Sequence, residues 1–279
     1  MLKLGLIAGS GRFPLLFAEE ARRMHMEVCA LGIKGLTDPA LEKMVGKVQY
    51  FKLGQLDKPI KALREEGITQ VVMAGKVQHA SLFGGIMPDL RAAKLLTRLP
   101  DRRTDTILKA VANEFSKDGI ELLPSSTYLS HLLVTEGVLT SRKPHAAEIA
   151  DIKLGWRAAK ALAGFDIGQT VVVKDGAVIA VEGMEGTDAC ILRARDIANS
   201  QGKHPQLAVV KVGKPNQDMR FDIPVLGLDS IAVFSQARVC ALALEAGSAI
   251  IFDKDAFLQQ ADEKKIAIVG YKNPEGAPS

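Results

Sequence analysis

The sequence "KLGLIAGSGRFPLLFAEEARRMHM", residues 3–26, determines the expected fold. Residues 3–8 form an apolar run of strand length, whereas residues 13–26 repeat apolar side chains at helical spacing. Gly9 and Gly11 lie in the turn between them, and Pro14 in this stretch suits the first turn of a helix. The stretch therefore predicts a strand, a tight turn and a helix, the repeating unit of an α/β domain.

The same alternation continues to about residue 134, which predicts an N-terminal domain over residues 1–134. Strands that alternate with helices imply a mostly parallel sheet covered on both faces. The further predicted elements of this domain are strands at 27–33 and 70–75 and helices at 57–67, 88–99 and 104–119.

The pattern changes after a polar, turn-rich stretch, residues 135–150, which we expect to link two domains. In the second domain, residues 151–279, two alternating apolar runs flank Asp175-Gly176, a favoured hairpin turn. The sequence therefore predicts a second, mixed α/β C-terminal domain. Its other predicted elements are helices at 150–164, 187–201, 229–247 and 254–265 and strands at 206–212, 248–252 and 266–270.

Composition excludes several classes of protein. With 279 residues, 47% hydrophobic and 24% charged, the chain is expected to be globular, and its net charge of +4 is only mildly basic. The N-terminus turns polar too soon for a signal peptide, and no charge-free run approaches the roughly 18 residues that span a bilayer, so we expect a cytoplasmic protein. Few aromatic residues and no recognition motif argue against nucleic acid as a partner.

Two glycine turns are candidate ligand sites because they follow strands of the predicted parallel sheet. Gly9, Ser10 and Gly11 follow the first strand, and Gly75 and Lys76 follow the strand at 70–75. A ligand in an open α/β sheet favours this carboxyl edge, where N–H groups and a lysine can bind a phosphate. The alternatives are a tight turn without a ligand and an exposed lysine. The third glycine of a dinucleotide motif is replaced by proline, which weakens an NAD interpretation.

A basic stripe is expected on the helix at 88–99. Arg91, Lys94 and Arg98 fall along one helical face, which suits a polyanionic ligand or an anionic membrane surface. A solvated helix face is the alternative.

Acidic residues concentrate in "AVEGMEGTDACIL", residues 180–192. Glu182, Glu185 and Asp188 lie within seven residues there, which suits a metal or a polar ligand. Alternatively, Thr187 or Asp188 caps the following helix.

The stretch "KPNQDMRFDIP", residues 214–224, has the side chains that hydrolysis of a phosphate ester needs. Lys214 and Arg220 can neutralise phosphoryl oxygens, and Gln217 can donate hydrogen bonds to them. Asp218 and Asp222 are oxygen ligands of the kind that Mg²⁺ prefers. A salt-bridged surface loop is the alternative.

These motifs, in this order, resemble the bacterial UDP-2,3-diacylglucosamine pyrophosphatases of the two-domain type, a family unrelated to the calcineurin-like phosphoesterases. The similarity spans nearly the whole chain. It is carried by "LGLIAGSGRFP", "VVMAGKV", "DIGQTVVVKDGAVIAVEGMEGTDA" and "KVGKPNQDMRFDIPVLG".

The resemblance implies a magnesium-dependent hydrolase of lipid A biosynthesis. It would cleave UDP-2,3-diacylglucosamine to UMP and 2,3-diacylglucosamine 1-phosphate (lipid X), with peripheral contact at the inner leaflet. It also implies a Rossmann-like N-terminal domain, a distinct C-terminal α/β domain and a homodimer. Where the family is expected to have a threonine after "IPVLG", this chain has "LDSI", in which Ser230 can offer its hydroxyl.

The resemblance assigns the essential aspartate of the family motif to Asp222, as a metal ligand or as the group that organises the attacking water. The expected catalytic residues are Asp222, Lys214, Gln217 and Arg220; the expected substrate-binding residues are Gly9, Ser10, Gly11, Gly75, Lys76, Gly186, Thr187 and Asp188; and the expected metal ligands are Asp222, Asp188 and Glu185. Two alternatives remain, a non-catalytic carrier of a lipid or sugar nucleotide and a nucleotide-cofactor oxidoreductase. A carrier would not need Asp222.

Overall fold

The structure is a computed structural model that describes residues 3–77, 87–101, 103–200, 206–214, 218–221 and 223–272. The chain divides into two compact units. The first comprises Met1–Ser130 and Asp218–Asp222, and the second comprises His131–Gln217 and Ile223–Ser279. The short segment 218–222 therefore belongs to the first unit, whereas the sequence predicted the whole second half for the C-terminal domain.

The first unit contains a parallel sheet with the strand order β3-β2-β1-β4-β5. This confirms the mostly parallel sheet predicted from the alternation of elements. The strands are β1 Lys3–Ala8, β2 Glu27–Ile33, β3 Lys47–Phe51, β4 Gln70–Ala74 and β5 Glu121–Leu123, and the helices are α1 Phe13–Arg23, α2 Asp57–Glu65, α3 Leu90–Leu96 and α4 Thr104–Lys117.

The strand order places a switch point between β1 and β4. The chain winds from β1 toward β3 on one side and from β4 to β5 on the other, so the loops that follow β1 and β4 leave the sheet side by side. In open parallel sheets, ligands bind in the crevice at such a point, outside the carboxyl ends of the strands. The predicted turns at Gly9 and Gly75 lie there.

The second unit contains a mixed sheet with the strand order β6-β13-β11-β9-β7-β8. β9, β11 and β13 are parallel to one another. β7 and β8 pair antiparallel, as the predicted hairpin requires, and β7 with β9 and β6 with β13 also pair antiparallel. The elements are β6 Gly137–Val138, α5 Ala146–Gly164, β7 Thr170–Lys174, β8 Ala177–Val181, α6 Thr187–Ser200, β9 Leu207–Lys211, β10 Val225–Leu226, α7 Leu228–Gln236, β11 Val239–Glu245, β12 Ile250–Ile251, α8 Lys254–Glu263 and β13 Ala267–Tyr271.

Alternate residues of this sheet enter two separate cores. Val171 and Val173 pack with Trp156 of α5 on one face, and Val172 packs with Phe234 of α7 and Phe257 of α8 on the other. Both faces of the central strands are therefore buried, which is the expected arrangement for parallel strands covered by helices.

Two predicted elements of the second half differ from the structure. The single helix expected at 229–247 is α7 followed by β11, and Arg238 between them has a positive φ of 55° that ends the helix. The expected linker, residues 135–150, contributes β6, which pairs with β13, and the first residues of α5. Within the described residues, no helix is long and apolar enough to cross a membrane.

Candidate functional site

The two predicted glycine turns of the first unit pair with each other. Ser10 and Lys76 exchange backbone hydrogen bonds of 2.9 Å in both directions, and the Gly9 N–H donates to the Ala74 carbonyl at 2.8 Å. A Cβ atom on Gly75, whose φ is +92°, would lie 2.7 Å from the Ser10 carbonyl oxygen. Glycine is therefore required for this close approach. The N–H groups of Gly9 and Ser10 are bonded within the pair, whereas Gly11 and the Lys76 side chain are exposed.

Ser125, which the sequence did not indicate, anchors the segment 218–221 to the same edge of the sheet. Its N–H donates to the Met219 carbonyl at 2.9 Å. Its Oγ lies 2.6 Å from the carbonyl oxygen of Met73 in β4 and 3.1 Å from that of Arg220. Met73 is the penultimate residue of β4 and lies two residues before Gly75. The structure therefore brings the predicted Arg220 to the edge that also carries Lys76.

Arg220 makes a bidentate pair with Asp218. Its Nε lies 2.8 Å from Oδ1 and its Nη2 lies 2.7 Å from Oδ2. These hydrogen bonds lower the pKa of Asp218, although partial burial opposes them. The guanidinium also lies 4.9 Å from the centre of the Phe221 ring. Asp218 is therefore engaged by Arg220 rather than open to a metal. The predicted Asp222 and Gln217 lie outside the described residues.

In the second unit, Lys211, which the sequence did not indicate, lies at the centre of a polar cluster that includes the predicted Glu182 and Thr187. Its Nζ donates to Oγ1 of Thr187 at 2.7 Å and to Oγ1 of Thr170 at 3.1 Å, and it lies 3.8 Å from Oε2 of Glu182. The Thr187 hydroxyl donates in turn to Glu182 Oε1 at 2.8 Å. The cluster joins the ends of β7, β8 and β9 to the first residue of α6.

The Glu182 carboxylate is stabilised in its charged form. Burial by itself would raise the pKa of Glu182, but the charge of Lys211 and the hydrogen bonds from Thr170 and Thr187 outweigh it and lower the pKa. Only 13% of the Glu182 side chain and 13% of the Lys211 side chain are exposed. Thr187, predicted to bind substrate, is thus bonded within the protein through its hydroxyl.

The other predicted residues of the acidic segment lie around the start of α6. Gly186 has a φ of 85° in the turn, and Asp188 is exposed in the first turn of the helix. Glu185 accepts hydrogen bonds from Arg193 at 2.6 Å and from the Gly183 N–H at 3.0 Å. The bond from Arg193 lowers the pKa of Glu185.

The expected magnesium ligands Glu185 and Asp188 differ in their surroundings. Among the described residues, no group of three or more His, Cys, Asp or Glu side chains could hold a metal ion. Glu185 accepts one hydrogen bond on each of its two oxygens, from Arg193 and from Gly183, whereas the Asp188 carboxylate is exposed. Mg²⁺ in phosphate-processing sites is usually held by one or two carboxylates together with the substrate phosphates. A single carboxylate such as Asp188 fits that pattern.

A second ion pair fixes the backbone before Lys214. Glu245 accepts from the Gly213 N–H at 2.7 Å and from Lys160 Nζ at 2.9 Å, and Lys160 also donates to the Gly213 carbonyl at 3.2 Å. Lys214 itself lies 2.6 Å from Asp166. Both polar groups of the Gly213 backbone are thus bonded where the chain leaves β9.

The predicted basic stripe is only partly present on the surface. Arg91 donates to Glu114 Oε2 at 2.9 Å and to Asp118 Oδ2 at 2.5 Å, so its charge is neutralised inside the first unit. Lys94 and Arg98 are exposed. Arg91 therefore joins α3 to α4 and does not face a ligand.

Solved structures of other families resemble this chain only weakly. N5-carboxyaminoimidazole ribonucleotide synthetase from Thermotoga maritima is 14% identical, with a TM-score of 0.27. The match covers 67% of this chain and 43% of the synthetase chain. UDP-glucose-4-epimerase from Stenotrophomonas maltophila is 12% identical, with a TM-score of 0.32. The match covers 96% of this chain and 76% of the epimerase chain. Neither likeness supports an inference about function.

Two family models and one full-length relative match the sequence. The LpxI N-terminal domain model matches residues 3–132, and the LpxI C-terminal domain model matches residues 135–269. A relative from Caulobacter vibrioides, named UDP-2,3-diacylglucosamine pyrophosphatase LpxI, is 32% identical to this chain over 284 residues. The match covers the full length of both chains. The order of the two domain models and this full-length relative show that the chain belongs to the LpxI family.

Proposed function

We propose that this protein hydrolyses the pyrophosphate of UDP-2,3-diacylglucosamine to UMP and lipid X. The observation that carries the proposal is the likeness to the Caulobacter vibrioides pyrophosphatase, which covers both units from end to end. In the reaction, water attacks one phosphorus, a new P–O bond forms, and the bond from that phosphorus to the bridging oxygen breaks. The product phosphates carry more negative charge than the substrate, so fixed cations lower the barrier.

Arg220 and Lys76 are the cations of the first unit to which we assign this role. Arg220 is held by Asp218 and by the Ser125 contact to its backbone, and Lys76 is exposed at the same edge of the sheet. A guanidinium that is already oriented loses little entropy when it binds a phosphate. We assign Lys214 and Gln217 the binding of further phosphoryl oxygens, and Asp222 the orientation or deprotonation of the attacking water.

We also propose that Mg²⁺ is the cofactor. A magnesium ion would neutralise charge on the phosphate oxygens and help to orient them. Asp222 and Asp188 are the carboxylates we assign to it, whereas Glu185, predicted as a third ligand, is bonded to Arg193 and Gly183. A metal held mainly by substrate phosphates needs no larger group of protein carboxylates.

The remaining expectations concern the cellular location, the membrane contact and the oligomeric state of the enzyme. We propose that it acts in the cytoplasm, at the inner leaflet, and as a homodimer. Exposed Met87, Leu90 and Leu96, with Lys94 and Arg98 on the same short stretch, support the leaflet contact because apolar and cationic side chains together favour an anionic membrane surface. Light scattering of the purified protein tests the dimer.

The test is the release of UMP from UDP-2,3-diacylglucosamine by the purified protein, with Mg²⁺ and with a chelator. We expect release that depends on Mg²⁺ and that falls at least about 100-fold in Asp222→Asn, a loss of the size typical of a catalytic acid or base. Asp255→Asn is the matched control, because Asp255 is an exposed aspartate at the start of α8. Substrate binding without any release of UMP would refute the hydrolase and favour a carrier.

A further inference from the structure

The backbone of Gly213 is held by two side chains from neighbouring elements. Gly213 is buried, lies two residues after the end of β9 and immediately precedes Lys214. Its N–H donates to Oε2 of Glu245 at 2.7 Å, and its carbonyl accepts from Nζ of Lys160 at 3.2 Å. Lys160 also donates to both carboxylate oxygens of Glu245, at 2.9 and 3.0 Å. Gly213, Lys160 and Glu245 thus form a closed set of hydrogen bonds, which we call the Gly213 clamp.

The sheet of the second unit places the clamp at the carboxyl edge of its parallel strands. β9 and β11 are parallel neighbours, so Glu245 at the end of β11 lies beside the chain that leaves β9. Lys160 reaches the same edge from α5, where its Nζ lies 5.7 Å from the centre of the Trp156 ring. Only 18% of the Glu245 side chain and 30% of the Lys160 side chain are exposed. This edge is where open parallel sheets bind ligands.

The clamp acts on both sides of a glycine, the residue with the widest backbone freedom. The Gly213 N–H lies in the peptide plane shared with Val212, and the Gly213 carbonyl lies in the plane shared with Lys214. A hydrogen bond to each plane restricts rotation about both backbone bonds of Gly213. Without the clamp, Gly213 could redirect the chain just before Lys214.

The motif that follows, residues 214–224, is also held through its backbone further along. In the first unit, the N–H and the Oγ of Ser125 bond the carbonyls of Met219 and Arg220, at 2.9 and 3.1 Å. Only five residues separate Gly213 from Met219. So short a stretch passes a displacement of its first residue on to its side chains, and a misplacement of about 1 Å can lower a reaction rate about 100-fold.

We infer that Glu245 is a positioning residue for the proposed hydrolysis, and that it acts with Lys160 by fixing the backbone of Gly213 ahead of the phosphate-binding motif. The inference rests on the proposed function, which assigns Lys214 to the binding of phosphoryl oxygens. Glu245 acts through the backbone and not on the substrate. If the clamp served only to satisfy buried backbone groups, its loss would reduce stability without slowing the folded protein.

Glu245→Ala tests the inference, because it removes the acceptor of the Gly213 N–H and the partner of Lys160. The measurement is UMP release from UDP-2,3-diacylglucosamine, with kcat normalised to the folded fraction given by circular dichroism. We expect kcat to fall at least about tenfold and KM to stay within about threefold, because the charge that the motif stabilises grows in the transition state. Glu245→Gln should recover most of kcat, since its amide oxygen still accepts from the Gly213 N–H.

Glu148→Ala is the matched control on the same two elements. Like Glu245, Glu148 is largely buried and accepts hydrogen bonds from a cation, Arg142, and from a backbone N–H, that of His145. Arg142 also donates to the Cys240 carbonyl, which lies near the other end of β11 from Glu245. Glu148→Ala should reduce stability but leave kcat per folded molecule within about twofold.

A second measurement reports on the clamp without relying on activity. Hydrogen exchange at the Gly213 N–H, followed by NMR on protein labelled with 15N-glycine, should be at least about tenfold faster in Glu245→Ala than in Glu148→Ala. Lys160→Met keeps the apolar stem of the side chain beside Trp156 and removes the donor to the Gly213 carbonyl. It should lower kcat at least about threefold, and it tests the inference even if Glu245→Ala does not fold.

The positioning inference and the proposed function fail in different ways. If the wild type releases UMP but Glu245→Ala is as fast as Glu148→Ala, the hydrolase stands and the positioning inference is wrong. A Glu245→Gln variant as slow as Glu245→Ala, a folded Lys160→Met with unchanged kcat, or equal exchange at Gly213 in Glu245→Ala and Glu148→Ala also overturns it. If the wild type itself releases no UMP, the proposed function fails and the inference fails with it.

Discussion

Lys211 and Glu182 form a largely buried charged pair in the second unit, and the pair shows what a single residue contributes there. Both side chains are largely buried, and two threonine hydroxyls connect them. A buried charge that loses its partner has neither water nor a counter-ion to stabilise it. The stability of the fold around α6 is therefore expected to depend on both residues.

We expect Glu182→Gln to lower the free energy of unfolding at pH 7 by about 3 kcal/mol, because it removes the charge of a buried carboxylate that Lys211 and two threonine hydroxyls stabilise. The pKa of Glu182 is lower in the folded protein than its ordinary value. Its charge therefore stabilises the fold above that ordinary value, and this contribution disappears as the pH falls through the folded pKa. Urea unfolding at pH 7 and at decreasing pH should show the wild type and the variant converging.

Glu263→Gln is the control for this prediction, because Glu263 is exposed on α8. It should change the free energy of unfolding by less than about 0.5 kcal/mol. A Glu182→Gln deficit of the same size at neutral and acid pH would show that lost packing, rather than the charge, causes the effect.

Individual site residues could be predicted only where they lie within a recognisable sequence motif. Arg220 and Lys76 could be proposed from "KPNQDMRFDIP" and "VVMAGKV", and the structure places both at one edge of the first sheet. Ser125, which holds the Arg220 backbone, lies 95 residues away in sequence in an ordinary turn. Lys211 likewise looks like a plain strand end. Their roles come from tertiary neighbours, which no local pattern contains.

At the scale of elements, four described helices end with the same turn. In each, a residue with positive φ is followed by a buried apolar residue whose N–H donates to the helix carbonyl five residues before it. The positive-φ residues are His25 after α1, Gly67 after α2, Gly119 after α4 and Lys265 after α8. Two of the four turns thus use glycine, and two use a residue with a side chain that strains this conformation.

We expect His25→Gly to raise the free energy of unfolding by about 0.5–1 kcal/mol, because glycine removes the strain of the left-handed conformation but gives the unfolded chain more freedom. His25 is exposed, so the substitution removes little packing. Thermal and urea unfolding measure the change. His25→Ala keeps the strain and serves as the control; if it stabilises the protein as much as His25→Gly, the side chain rather than the backbone is responsible.

Most elements were predictable, and the errors have physical causes. The first strand, its helix and the Asp175-Gly176 hairpin follow from periodicity and turn chemistry. β11, "VCALALE", was predicted as part of a helix because both its faces are buried and its residues therefore do not alternate, while alanine and leucine favour helices. β3, "KVQYF", was missed because it is an edge strand of mixed polarity. These two segments form strands because of their neighbours in the assembled sheet, which the local sequence does not show.

At the scale of the whole molecule, the first unit is not a continuous piece of sequence. It takes the segment Asp218–Asp222 from the far half of the chain, and this segment satisfies the backbone N–H of Ser125, a residue that is only 1% exposed. Phe221 of the segment adds an aromatic ring to the apolar cluster of the unit. A buried N–H that loses its acceptor costs about 1–3 kcal/mol, and the lost packing adds to this.

A fragment that ends at residue 132, where the N-terminal family model ends, should therefore be less stable than the same residues in the full chain. We expect its urea midpoint to fall by an amount equivalent to about 2–4 kcal/mol. Hydrogen exchange at amides of β4 and β5 in the fragment and in the full chain measures the difference. Phe221→Ala in the full chain should reproduce part of the loss at these amides. If the β4 and β5 amides are equally protected from exchange in the fragment and in the full chain, the segment 218–222 packs on the first unit without stabilising it.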